Sequence, residues 1–520
     1  MRSRTVRLRL FHARALGAAL VLALVPLAAT PLRAQPLGSE MLLASDTSRA
    51  LLAQARVSTL ALRFDDAEAS LRRLQRRPDG APAALHHRAT IALLRGFLTD
   101  DDLHFTRFAQ RADSLERTLG RMPETRWRLY FEAETDLQRA IVHARRENLT
   151  RAALAARSAH NAYEKALRGD VGATFEEPQK GFGLIQLLIG SAPGAYRWML
   201  RLMGYSGTIE GGRGRLVRAA ERSRYNREES LLLLGLVDVV VRGDHAGGLA
   251  TVERLYREQP GSPLAGHVYG FTLLSDRRAE AAEAVLAGVV EAQRGPGVQP
   301  IRFSEYFLGD ARFKLGKYDA AAGHLRRYLD SHRGASLRSR ALLTLGLCLE
   351  LQGRRAEALG PYRQVKHTRI SEVEEAAVRL ARRRLAAPIT PAERTLLEAT
   401  NLYENRAHEA AEAKLRAFLA TNPPAGEAAE ANVRLGRVLV ATARAAEART
   451  HFEQAYEQPG PDALAGWAPW AHFHAGETLA AEGQKAEARR HFERTIRYEG
   501  NYDLYLTLEQ NTKTALEKVR

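Results

Sequence analysis

Histidine pairs, carboxylate pairs and one glycine doublet are the residues of this chain that could do chemistry. His472-Phe473-His474 and His86-His87 carry a donor type that zinc takes. On a helix, however, residues one or two apart point to different sides, and neither pair has a Glu-x-x-His partner on its face. His324, His451 and His491 each stand one residue before an apolar position (Leu325, Phe452, Phe492), so a repeated pattern accounts for them and no metal is expected. Gly181-Phe182-Gly183 lacks the third glycine of a dinucleotide loop, Gln186 standing there, and no strand precedes it. Glu176-Glu177 and Glu374-Glu375 are adjacent rather than facing, which reads as solvated surface and not as an acid with its base. No catalytic residue, cofactor or small-molecule substrate follows, and the chain is not expected to be an enzyme.

The elements that could position side chains are helical and repeated. Residues 303–329 hold Leu308-Gly309 in a first helix, Gly316 at a turn, and Tyr318, Ala321, Leu325 and Tyr328 at three- and four-residue spacing on a second helix. The small residue of the first helix recurs at Gly235, Gly270, Gly309, Gly346, Ala399, Gly436 and Gly476. Most steps fit a unit of about 34 residues with a longer loop. The one long step, between Gly346 and Ala399, holds an additional helix stopped by Pro388.

This pattern resembles the tetratricopeptide repeat, in which two antiparallel helices meet through small residues. The resemblance implies an all-α, tetratricopeptide-like α-solenoid of antiparallel helix pairs that holds protein partners. Residues 181–212 carry a second resemblance, to the central signature of the tetratricopeptide-repeat-39 and inclusion-body-clearance family. Here the apolar stretch 181–188, the Ala192-Pro193 turn and Gly204-Tyr205-Ser206-Gly207 take the roles of that signature. Members of that family act in the cytosol or at organelle surfaces, whereas this chain looks exported.

Export is expected from residues 1–34, which read as a signal peptide. Five arginines and no acid precede the apolar run 15–29, and Ala34 offers a cleavage point before Gln35. The run has about 15 residues where a spanning helix needs about 20. A periplasmic location in a Gram-negative bacterium is the expectation. Lysines and arginines number 77 against 60 acids, a net +17, but six of those arginines lie in the leader. The remaining surface is mixed with a basic excess; acidic partners or anionic lipid could be attracted, and nucleic acid is not expected. The single cysteine, Cys348, excludes a disulfide framework and reads as a small buried apolar residue.

The chain therefore divides into a signal peptide (1–34), an N-terminal helical repeat-like region (41–168), a Gly-rich helical hairpin connector (169–227), tetratricopeptide-like repeats (228–387) and C-terminal repeats (388–520). In the connector, short apolar segments flank Pro193. Burial between the halves of the molecule is one reading. The other is peripheral membrane contact, which would make the chain a membrane-surface-associated accessory protein using 181–204. In the repeats, helical phase turns Phe303, Tyr306, Asp310, Phe313 and Lys314 toward the concave groove, followed by Tyr403 and then Arg437, Trp470, Phe473, His474 and Glu477. Aromatic and charged residues suit a protein partner, unless they pack against neighbouring repeats. Only Lys314 fits the Lys/Asn pattern that grips a C-terminal carboxylate, so that ligand is not expected.

Overall fold

The structure, a computed structural model, describes residues 42–168, 175–191, 205–332, 334–366, 372–457, 466–498 and 504–519. The leader and the second arm of the connector hairpin lie outside them. Among the described residues are 24 α-helices and no strand, so the chain is all-α as expected. They form two compact units: one runs to Asp276 and takes in 284–304, and the other comprises 277–283 and everything from Glu305.

In the first unit the helices pair in order. α1 (Asp46–Leu60) packs on α2 (Phe64–Gln75), α3 (Ala81–Thr99) on α4 (Asp102–Leu119), and α5 (Arg126–Arg145) on α6 (Leu149–Leu167). Then follow α7 (Pro178–Gly190) with α8 (Ile209–Arg222), α9 (Arg227–Leu236) with α10 (His245–Glu258), and α11 (Pro263–Ser275) with α12 (Ala279–Ala292). A π turn, Val237–Arg242, extends α9.

The second unit continues the scheme with α13 (Arg302–Lys314) and α14 (Tyr318–Ser331), then α15 (Arg338–Leu351) and α16 (Arg355–Gln364). The additional helix is α17 (Glu372–Ala386). After it come α18 (Pro391–Tyr403) with α19 (His408–Leu419), α20 (Ala425–Ala441) with α21 (Ala445–Glu457), and α22 (Ala468–Ala481) with α23 (Lys485–Arg497). The last helix, α24 (Tyr505–Lys518), is tied to α17 because Glu372 accepts from the backbone N–H groups of Leu506 and Thr507 at 2.6 and 2.9 Å. A carboxylate at that end offsets the unpaired donors of a helix start.

Local sequence dictates where several helices begin. Asp101 caps α4 by accepting from Leu103 N–H at 2.9 Å. Thr390 and Glu393 exchange hydrogen bonds across the first turn of α18, with Pro391 at its first position. On α2, Phe64, Ala67, Leu71 and Leu74 form one fully buried stripe, as their spacing requires.

What joins the two helices of a pair is one recurring contact. A Cβ built on Gly270, Gly309, Gly346, Gly436 or Gly476 would stand 2.3 to 3.0 Å from the side chain sixteen residues later: Leu286, Leu325, Tyr362, Phe452 and Phe492 respectively. Gly235 makes the same kind of contact with Val252, one position further along. Glycine is needed because the large partner occupies the volume a side chain would take. Ala399 has only Leu415 at that offset, and both are buried.

The glycines of the connector work by the same principle at closer range. On α7 and α8, a Cβ on Gly183 would lie 2.8 Å from the Gly212 carbonyl, and one on Gly212 2.5 Å from the Gly183 carbonyl. Backbone touches backbone. Phe182, Leu184, Ile185 and Leu187 of α7 are buried inside the first unit, so the described arm spends its apolar side there. No helix among the described residues is long and apolar enough to cross a membrane.

The pair contact makes a stability prediction. Gly436→Ala places a methyl 2.3 Å from the Phe452 ring and should destabilise the fold by about 1–3 kcal/mol, despite the better helix propensity of alanine. Adding Phe452→Leu recreates the Ala399–Leu415 combination and should recover much of the loss. Urea titration of the three variants checks this; equal midpoints for the wild type and Gly436→Ala would refute it.

Candidate functional site

In the second unit, charged and aromatic side chains accumulate on one face of consecutive first helices. Lys314 of α13 lies 3.3 Å from Asp310 one turn before it and 3.8 Å from Glu404, at the end of α18. Arg277 stands 4.4 Å from the centroid of the Tyr403 ring, donates to its hydroxyl at 2.7 Å and lies 3.6 Å from Glu404. Arg437 of α20 stands 4.8 Å from the centroid of that same ring. On α22, His474 pairs with Glu477 at 3.0 Å, and Trp470 lies 5.9 Å from the His474 ring. Burial holds the His474 imidazole below its ordinary range, and Arg437 and Arg277 push it the same way. Asp310, Lys314, Tyr403 and Arg437 are thus linked through Glu404 and Arg277, which the structure adds, while Trp470, His474 and Glu477 form a second linked group that the two arginines reach electrostatically.

The remaining predicted groove residues go elsewhere. Tyr306 is buried with its ring 5.5 Å from Tyr328, and Phe313 is buried against Tyr318. Phe473 is buried 6.0 Å from Phe492. These three fill the space between paired helices, and Tyr403 is itself buried apart from its charged neighbours. Phe303 falls in the first unit, packed against that unit's core. A separate open cleft of about 500 Å³ is lined from α19, α20 and α21 by Arg416, Asn432, His451 and Gln454, and shares none of these residues.

Residues 306–372 and 396–463 match the family model described as tetratricopeptide repeat. The chain carries tetratricopeptide repeats. Among solved structures it is similar to a tetratricopeptide repeat protein from Parabacteroides merdae, with 15% identity over 56% of this chain and 98% of that one, at a TM-score of 0.24. It is also similar to a Rap protein complexed with competence and sporulation factor (10% identity, 91% and 100% covered, TM-score 0.31). A third is the human IFIT1 dimer with m7Gppp-AAAA (14% identity, 86% and 95% covered, TM-score 0.31). No curated protein matches. The likeness to the tetratricopeptide-repeat-39 family rests on the residues of the connector alone.

In the first unit the corresponding face of the repeat-like pairs is occupied by its own side chains. His87 of α3 meets Thr59 of α1 at 3.1 Å, and Gln138 of α5 donates to Thr90 of α3 at 3.0 Å. Lys180 of α7 donates to Glu134 of α5 at 2.8 Å and to Glu229 of α9. Arg56 of α1 reaches Glu228 of α9 at 3.4 Å and the Tyr225 carbonyl at 2.7 Å. Ser262, the cap of α11, donates to the Leu60 carbonyl at the end of α1. The first helices close into a ring around a buried polar centre.

The structure corrects the expectation that the carboxylate pairs are solvated. Glu176 and Glu177 are buried, not solvated. Glu176 takes both ends of the Arg218 guanidinium at 2.7 Å, while Glu177 accepts from Ser223 Oγ, Arg224 N–H and Asn226 Nδ2 at 2.6 to 2.8 Å. Glu374 is buried as well. The paired histidines His86 and His87 both lie in the interior, and burial pulls His86 down to about 4, so neither carries charge at neutral pH. Burial pushes the Glu229 carboxyl up to about 7; Lys180 pulls it back and Glu134 pushes it further up. Cys348 is buried as expected, and its thiol is pushed up to about 12.

Two consequences are measurable by thermal melts followed by circular dichroism. Glu229 binds its proton more tightly folded than unfolded, so its contribution to stability is full below its ordinary 4.5 and is lost as pH rises through about 7. Lys180→Met removes the cation between two facing carboxylates and should lower stability by about 3–5 kcal/mol at pH 8, and by less at pH 5, where a shared proton takes its place. A Lys180→Met deficit independent of pH would contradict this account.

Proposed function

We propose that the chain is an exported, non-enzymatic scaffold that holds protein partners on the first-helix face of its tetratricopeptide repeats, the concave side of the stack. One observation carries the reading. First helices α13, α20 and α22 of the second unit present Lys314, Arg437, Trp470, His474 and Glu477: Lys314 and Arg437 are joined through Glu404, Arg277 and Tyr403, and His474 touches both Trp470 and Glu477, whereas the first unit fills the same face internally. A mixed polar and aromatic strip on rigid helices suits recognition of a protein segment. The Arg-rich leader with its short apolar run supports export and a periplasmic location.

Site-specific crosslinking in the producing cell tests the surface. A photoreactive residue in place of Trp470 should capture a partner, while one in place of Arg490, an exposed position on α23, should not. Equal capture at both positions would place the interface elsewhere. Export has its own test: mass spectrometry of the protein from the envelope fraction should find Gln35 as the first residue, and an intact leader on cytosolic protein would end that part of the proposal.

A further inference from the structure

The stack of Arg277, Tyr403 and Arg437 identifies the chemistry of the partner, given that this face holds one. We propose that it seats the side-chain carboxylate of an acidic residue within an extended protein segment.

Two guanidinium groups share one aromatic ring, at 4.4 and 4.8 Å from its centroid. The ring face holds each cation by its quadrupole and leaves the N–H edges free. Arg277 already spends an N–H on the Tyr403 hydroxyl and has Glu404 at 3.6 Å. Arg437 is different: among the described residues its stacking on Tyr403 is its one polar or aromatic contact, with no ion pair and no hydrogen bond. A guanidinium carries five N–H donors in a planar fork that fits a carboxylate with two parallel bonds. Two like charges placed on one ring also repel each other, and Glu404 offsets this only on the Arg277 side.

The surroundings agree. Near the stack, His408 lies 5.7 Å from the Tyr403 ring, and both it and His474 are held below their ordinary range, by burial first and then by the arginines. Charge of both signs lies around the stack, Arg277, Arg437 and Lys314 with Asp310, Glu404 and Glu477 bordering the seat. Those acids would repel a phosphodiester chain along the face, whereas a single carboxylate on the Arg437 fork, flanked by neutral or basic residues, sets only one negative charge among them. The seat draws Arg277 from the turn before α12, Tyr403 from α18 and Arg437 from α20, so it reads a ligand against three repeats at once. Trp470, half-buried beside His474, offers apolar surface to the next residue of such a segment.

The test is selection of phage-displayed random dodecapeptides on the full chain. Peptides selected on the wild type should share an Asp or Glu at one position. Those selected on Arg437→Glu should carry Lys or Arg there. By fluorescence anisotropy, a selected acidic peptide, capped at both termini, should bind about tenfold or more weakly to Arg437→Gln, the loss of one charge-assisted pair. Circular dichroism of both variants controls for folding, and Arg437→Gln suffices if Arg437→Glu does not fold. Selected peptides without a shared acid, or affinity unmoved by either variant, would overturn the carboxylate seat while leaving the protein-binding face intact. No selected peptide at all would overturn both. Binding of a twelve-nucleotide poly(A) probe in preference to any peptide, lost in Arg437→Glu, would overturn the assignment in favour of nucleic acid.

Discussion

The distance between the two helices of a pair governs everything that appears on the face of the repeats. In five pairs that distance is set by a ring or an isobutyl group lying on a bare stretch of backbone, with Gly436 under Phe452 and Gly346 under Tyr362 as the tightest cases. A contact of that kind fixes more than separation. It fixes the rotation of the first helix about its own axis, because the glycine has to face the partner. Each residue further along is then turned by about 100°. The residue after three of the five contact glycines, Asp310, Arg437 or Glu477, is therefore carried off the buried stripe. Dispersion contacts that are individually small, summed over a whole ring, determine where the charges point.

That same rotation explains which of the expected groove residues stay accessible and which are drawn into the pair interface. Tyr306 and Phe473 lie three residues before Gly309 and Gly476, and Phe313 and Tyr403 lie four residues after Gly309 and Ala399. Positions three and four apart share one side of a helix, so all four are drawn into the pair interface along with the small residue. Lys314, Arg437, Trp470, His474 and Glu477 stand at other offsets and remain partly accessible. The signal was in the sequence, since the recurring glycines supply the phase. Aromatic character alone points the wrong way, because large rings serve the contact between helices as well as any ligand.

The helical repeats themselves were legible because each helix pair is a local object, closed by residues sixteen apart. The polar centre of the first unit was not legible for the opposite reason. Lys180 is 46 residues from Glu134 and 49 from Glu229, and Arg56 is 172 from Glu228. Nothing near each charge in the chain distinguishes it from a solvated one. Glu176 and Glu177 show the difficulty most directly. Adjacent side chains on a turn diverge, which argues for surface only if one of the two directions is open. Here both directions are covered, and each carboxylate has its own donors.

Closing a ring of helices around charges is an expensive solution compared with an apolar core. Desolvating a lysine and two glutamates offsets much of what their attraction returns, and a hydrophobic replacement is often at least as stable. What such a centre supplies is selectivity among arrangements. Leucines on six first helices tolerate sliding, whereas the bonds from Lys180 to both Glu134 and Glu229, and from Asn226 to Tyr130 and Glu177, are satisfied together in one register only. The second unit pairs Lys314, Arg277 and His474 with acids of its own, but leaves Arg437 with no ion pair among the described residues. Its Arg437 keeps against Tyr403 a set of donors that no group among the described residues takes up, and those donors are what the proposed carboxylate would use.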